Sequence, residues 1–409
     1  MRYYHVLPLL AVLPSAAMAQ SVTFTEALAA AERSAPSIEA RGLNLEARRA
    51  EAGAADELPD PRLSVGLQNF PISGPPAFTL NGTMMTMTRI GIEQELPNLA
   101  KRHARAARAT ADVTLAAANA DVTAKEVRSG AATAWIDLAY AQRRLSSLDT
   151  IIADLHRYAP MATSAVEVGA ARPAESLEIQ QSIAVLEDAR SAIAADVGQA
   201  RARLARWTGE TDPQAAGPMP DLSVSRLELV GSLDRQPELG LASARTRSAE
   251  ADVDLARAEK RPDFGVNVAY GRRDPAYGDL LSVGVSVSLP LFAGRRQEPR
   301  IAARRLDLAA ARAETEDVRR KLLAELDGGL AEYESRYAQW QRARDVLLPL
   351  ARKQDGLEVA SFSAGNADLL DVIAAKTRLA NIELAVIDRE ALVAAQAINL
   401  KITFGSIDR

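Results

Sequence analysis

Four short markers occur twice in this chain, in the same order and about half a chain apart. Leu58-Pro59-Asp60-Pro61-Arg62-Leu63-Ser64-Val65 returns as Lys260-Arg261-Pro262-Asp263-Phe264-Gly265-Val266, with Pro61 falling on Pro262. Glu95-Leu96-Pro97 returns as Ser288-Leu289-Pro290, Val166 to Gly169 as Phe362 to Gly365, and Trp207-Thr208-Gly209 as Thr403-Phe404-Gly405. A repeat of this length means that one supersecondary unit is used twice. The order of markers divides the chain into a first repeat, 20–209, and a second, 226–409. Residues 210–225 are rich in Pro, Gly and Asp and carry no helical or strand period, so they read as the linker. Each repeat reads helix, strand, loop, strand, long helix, turn, helix.

The strands come in pairs with strict alternation. Phe264, Val266, Val268 and Tyr270 alternate with Asp263, Gly265, Asn267 and Ala269. Leu281, Val283, Val285 and Val287 alternate with serines and Gly284. In the first repeat Leu63, Val65 and Leu67, and then Ile90 and Ile92, do the same. Period two gives one apolar and one polar face, and strands near ten residues suit a tilted membrane strand. Such a hairpin could also be half-buried in a soluble protein. Its recurrence at equivalent places favours a membrane β part at about 62–95 and 263–290, with Pro71 to Gly82 and Arg272 to Asp279 as outer loops. Four strands cannot close a barrel, for which about eight is the minimum, so copies must pool their strands.

Long helices account for most of the rest. Asn98 to Tyr158 contains no proline, and Gly130 alone interrupts its run of good helix formers. Its counterpart runs from Arg300 towards Leu348, where Pro349 should kink or end it. Return helices are expected from Pro173 to Trp207 and from Ala367 to Phe404. Apolar residues reach 48% while aromatics are only 4%, because alanine is abundant; such helices pack backbone close to backbone.

Export is written at the start. Met1-Arg2-Tyr3-Tyr4-His5 is a basic beginning, Val6 to Leu13 a brief apolar run, and Ala17-Met18-Ala19 a small-x-small cleavage site. Residues 1–19 therefore read as a signal peptide, with Gln20 the mature start. There is no cysteine, which rules out disulfides and a lipid-modified cysteine. No later stretch has about twenty consecutive apolar residues, so any membrane entry must be as a β-barrel. A net charge of −4 with both signs interspersed carries no nucleic-acid footprint.

Paired hairpins, each followed by Leu-Pro and a basic helix start, resemble the TolC outer-membrane efflux family. The two starts are Leu96 to Arg105 and Leu289 to Arg296. Leu58-Pro59-Asp60-Pro61 to Phe70-Pro71, with Glu95-Leu96-Pro97 and Lys101-Arg102, is most similar to the heavy-metal, CzcC-like branch. The resemblance covers the whole mature chain. It implies a mainly α protein with a small β part: a long helical barrel continuous with a membrane β-barrel formed by four strands from each subunit of a homotrimer. The duct would stand in outer-membrane lipid with its helices in the periplasm. It would be loaded by a periplasmic adaptor (membrane fusion) protein and an inner-membrane pump of the RND type. Substrate, with heavy-metal cations among the candidates, would pass through without catalysis and without a cofactor.

The same resemblance assigns the turns at Gly169 and Gly365, with Val168 and Phe362, to an adaptor-contacting tip. In the family's pattern a tip glycine is followed six residues later by an aspartate, and by a second three further on, ringing the entrance. Here Gly365 is followed by Asp371, but the second position is Ala374; Gly169 is followed by Glu175. The entrance residues would be Asp371, Glu175 and Asp368. Asp371 and Glu175 also suit a helix N-terminus, where a carboxylate is favoured by the dipole.

Catalytic and metal motifs are absent. His103 and His156 lie far apart on one helix and cannot form an i, i+4 metal pair. Met84, Met85 and Met87 are a soft-cation candidate set that reads better as strand residues, some facing lipid. Lys101-Arg102 and Arg295-Arg296 read as a solvated collar at the barrel-to-helix junction rather than as anion sites. The competing architecture is a periplasmic coiled-coil scaffold or adaptor without a pore.

Overall fold

The computed structural model describes residues 20–167 and 172–405. The expected signal peptide and the turn residues Val168 and Gly169 lie outside the described residues. In chain order the elements are β1 (Gln20–Val22), α1 (Phe24–Ser34), α2 (Pro36–Ala54), β2 (Arg62–Gln68), β3 (Met87–Leu96), α3 (Leu99–Glu167) and α4 (Pro173–Thr208). Then come β4 (Pro213–Ala215), α5 (Arg226–Gly231), α6 (Pro237–Ala258), β5 (Phe264–Arg272) and β6 (Leu280–Val287). The last three are α7 (Ala293–Arg342), α8 (Leu348–Ser363) and α9 (Leu369–Phe404). The residues form two compact units, and each unit draws on both repeats. One comprises the described residues within Met1–Ile38, Ala124–Leu233 and Leu323–Arg409; the other comprises Glu39–Thr123 and Asp234–Leu322.

The first unit is a helical core built on alanine. Ala27, Ala31, Ala131, Ala132 and Ala394 are fully buried where α1, α3, α4 and α9 meet. Absent side chains let the helix backbones approach, and the larger residues fill what remains. Trp135 is the anchor. Its Nε1 donates to the Val22 carbonyl at 2.8 Å, and its ring meets Phe24 edge-on at 5.5 Å between centroids. That bond holds β1, which pairs in parallel with β4. Thr23 then starts α1 with a capping box: its Oγ1 accepts from the Glu26 N–H, and the Glu26 carboxylate accepts from Thr23 N–H. These contacts hold the Glu26 carboxyl below its usual range.

The interruption expected at Pro349 takes the form of a change in helix type. The helix neither ends nor breaks there: α7 passes through a π-helical turn, Ala343–Leu347, straight into α8, with Pro349 in that helix's first turn. A wider turn accommodates the residue whose ring clashes with the preceding carbonyls and whose nitrogen has no proton to donate. The first long helix likewise continues through Pro160 to Glu167. At 69 residues it is about 100 Å long by its rise.

The second unit holds a four-stranded antiparallel sheet in the order β2-β3-β5-β6. The hairpins of the two repeats meet at β3 and β5, where nine residue pairs run from Thr88↔Arg272 to Leu96↔Phe264. Before β5 in the chain, α6 buries Leu239, Ala242, Val253 and Ala256. Thr246 and Thr315 share a hydrogen bond at 3.1 Å, and the Arg108 guanidinium bridges Asp112 and Asp252.

Candidate pore-lining sheet and entrance turn

Register decides what the sheet can do. One face carries Leu63↔Ile92↔Val268↔Val283 and Val65↔Ile90↔Tyr270↔Leu281 as continuous rows, with Leu96↔Phe264↔Val287 beside them. These side chains lie outside the core: Leu63, Val65, Val283 and Val285 are 68–69% exposed and Leu281 71%. An exposed apolar face of this breadth needs a lipid or protein covering. The other face carries Arg62, Ser64, Glu93, Glu95, Asn267, Ser282 and Ser286, interleaved with Gly66, Gly91, Gly265, Gly271 and Gly284. Both outer strands, β2 and β6, have an unpaired edge within the chain. Among the described residues no helix is long and apolar enough to cross a membrane.

The methionines do not assemble a site. Met84 and Met85 are exposed in the loop, while Met87 lies in register with Gln68 on the polar face, with its Sδ close to Gly271. Among the described residues no group of three or more His, Cys, Asp or Glu is placed to hold a metal ion.

The basic starts differ from a solvated collar in the first repeat. Lys101 Nζ donates to Asp263 Oδ2 at 2.6 Å and is only 19% exposed. Asn98 donates to Asp263 Oδ1 through both its backbone N–H and its Nδ2, each at 2.9 Å, and its own Oδ1 caps the Lys101 N–H. Arg102 reaches the Asp56 carbonyl at 2.6 Å. The start of the first long helix is thus pinned to the start of the second hairpin. Sequence reading missed this because 162 residues separate Lys101 from Asp263. Arg295 and Arg296 in the second repeat are exposed.

The tip turn of the second repeat is well defined. Gly365 adopts a left-handed φ of 76°, and Asn366 N–H returns to the Ser361 carbonyl at 2.9 Å. Asp368 is the N-cap of α9 and forms a capping box with Asp371, whose Oδ2 accepts the Asp368 N–H at 3.1 Å. Asp371 therefore has a structural task at the helix start. Phe362 packs with Leu148, Leu155, Ile179, Leu369, Val372 and Ile373, which couples this turn to α3 and α4. Glu175 falls in the first turn of α4. Val168 and Gly169 are outside the described residues, so the turn they were assigned to is not brought together with Asp371 here.

Two charge clusters that the sequence did not single out tie these helices. Lys376 pairs with Asp355 at 3.4 Å, both about 15% exposed, and Lys376 also stands 5.1 Å over the Tyr158 ring. Higher on α3, Tyr140 and Arg143 bind Glu390 at 3.1 and 2.9 Å, and Arg144 binds Asp388 at 2.9 Å. Burial raises the Tyr140 hydroxyl, and the Glu390 charge adds to it. Burial also raises the Asp137 carboxyl, against the pull of Arg203.

Comparison with known proteins adds to this geometry. The model of the outer membrane efflux protein family matches residues 229–406. The chain is 25% identical over 375 residues to the cobalt-zinc-cadmium resistance protein CzcC of Cupriavidus metallidurans, covering 88% of this chain and 84% of that protein. Its fold matches CusC with a TM-score of 0.78 at 14% identity, over 93% of this chain and 92% of that one. It also matches VceC from Vibrio cholerae, with a TM-score of 0.75 at 16% identity, over 93% and 96% of the two chains. The fold is the one these solved outer-membrane proteins share, mainly helical with a small β part. The family's members are efflux ducts, not enzymes, and the outer membrane is their location.

Proposed function

We propose that the chain is one third of a passive exit duct, a homotrimer whose twelve pooled strands close a barrel in outer-membrane lipid. The observation that carries this reading is the sheet: one face apolar and exposed, one polar, and both edges open. Pairing β6 of one copy with β2 of the next would satisfy the edge N–H and C=O groups, which hydrocarbon cannot. Long helices attached to the sheet would continue the duct into the periplasm, where an adaptor and an inner-membrane pump of the RND type would load it. The likeness to CzcC supports heavy-metal cations as substrate. Gly365 and Phe362, with Gly169 and Val168 of the first repeat, would meet the adaptor. Asp371, with Asp368 and Glu175, would ring the entrance.

Mass measurement in mild detergent tests the reading. Three copies of the mature chain are expected, extracted from membranes by detergent and not by salt. A stable monomer, or release by a salt wash as for a coiled-coil scaffold, would overturn it.

A further inference from the structure

The polar face of the sheet carries an uncompensated charge at one level. Arg62 and Glu95 form an ion pair at 3.0 Å and cancel. Arg89 has no such partner: among the described residues no carboxylate pairs with it. Its row across the sheet is Gly66↔Arg89↔Gly271↔Leu280, so neither adjacent strand puts a side chain beside it. Glu93, the nearest carboxylate along β3 on the same face, is four residues away, about 13 Å at strand rise. Asp279, in the loop after β5, is already bound by the Tyr270 hydroxyl and the Arg273 N–H. Arg272, next to this level, has the opposite parity in the strand and lies on the apolar face.

We propose that Arg89 sets the ion preference of the outer half of the barrel, as a ring of three guanidinium charges facing the lumen. The proposal rests on the reading of this sheet as one third of a closed barrel. Rings of like charge in a pore bias passage toward the counter-ion, and arginine cannot lose its charge at any physiological pH. Glycines stand at both register positions beside Arg89, and only the Met87 thioether of its own strand reaches over Gly271, so no charge of the sheet meets the guanidinium. Glu93 forms the opposite ring about 13 Å further toward the helices. A cation leaving the duct thus passes an attracting level and then a repelling one, and a cation outside meets the repelling level first. Because the lumen is wet and wide, the effect is screened within about 10 Å at 0.1 M salt and is largest at low ionic strength.

Planar-bilayer recordings of the purified full assembly in a KCl gradient test this. Arg89→Gln should raise the potassium-to-chloride permeability ratio roughly twofold or more at low salt, with the difference vanishing near 1 M. Arg89→Lys should keep the wild-type ratio, and Glu93→Gln should move it the opposite way. Arg272→Gln, on the other face, should leave it unchanged. Conducting channels in which Arg89→Gln and wild type share one reversal potential at low salt would overturn the assignment while leaving the pore intact. Wild-type protein that forms no conducting channel would sink the barrel reading, and the assignment with it. If Arg89→Gln fails to assemble, the Glu93→Gln recording decides: no shift there removes the charge-ring account.

Discussion

Gly130 in α3 lies flat against the indole of Trp207 in α4, so close that a Cβ on Gly130 would overlap the ring. The equivalent contact in the second repeat is Gly329 against Leu400, tighter than an ordinary Cβ contact but against a flexible methyl. Gly329 O also accepts from Gln396 Nε2 at 3.0 Å. Both glycines allow the long helix and the return helix of their repeat to touch. Gly198, on α4, faces open space instead.

Gly130→Ala should therefore destabilise the helical unit by roughly 1–3 kcal/mol, the usual range for overpacking, even though alanine is the better helix former. Gly198→Ala should stabilise it by about 0.5–1 kcal/mol, since nothing opposes the added methyl. Thermal unfolding in detergent measures both. Equal melting temperatures for the two variants would contradict the packing seen at Trp207.

The two faces of β6 should respond differently to charge. Val285 lies on the apolar face, in register with Val266, and Ser286 on the polar face, in register with Gly265. An arginine at the lipid midplane costs about 2–4 kcal/mol, so Val285→Arg should reduce insertion. Ser286→Arg should insert normally and alter conductance. Quantifying assembled protein in membranes distinguishes them, and equal tolerance would remove the lipid-facing assignment.

Asp371 has two roles to separate. Its carboxylate closes the capping box on Asp368, and loss of such a cap costs about 0.5–2 kcal/mol. As an entrance ring it would also attract cations. Asp371→Asn keeps an oxygen to accept the Asp368 N–H and removes only the charge. It should therefore leave the melting temperature near wild type while weakening block by multivalent cations, with Glu175→Gln having a smaller effect. Unchanged block in Asp371→Asn would leave the cap as the residue's only role.

Acid should loosen the linker. Ser223, through its hydroxyl and N–H, and then Lys401 hold the Asp221 carboxyl well below the usual carboxylate range. A folded value below the unfolded one means the contribution is present above about pH 4 and is lost as pH falls below it. Asp221 is largely exposed, so the effect is small. Wild-type melting temperature should fall more steeply than that of Asp221→Asn between about pH 4 and pH 2. Parallel curves would show that this carboxylate does not report on folding.

Much of the architecture was legible in the residues, for local reasons. Alternation along Phe264 to Tyr270 and Leu281 to Val287 is a property of the strand itself, and the doubled markers are a property of the chain. The helix starts at Pro173 and Asp368 follow from capping chemistry that acts within one turn. Pro349 was legible only in part. Its missing proton demands a local change, yet whether a helix breaks or widens into a π turn depends on the packing around it.

What only the tertiary structure decided are relationships between residues far apart in sequence. Nothing near Lys101 announces Asp263, and nothing near Gly130 announces Trp207. The first pairing appears only when the two repeats fold together, and the second only when the long and return helices of one repeat pack. Arg89 shows the same division: alternation alone places it on the polar face. That its neighbours are Gly66 and Gly271, leaving the charge unpaired, depends on the register of three strands from two repeats. Periodicity is carried by single segments and can be read along the chain. Register and ion pairing are set by which segments meet, through hydrogen bonds and packing that the linear order does not contain.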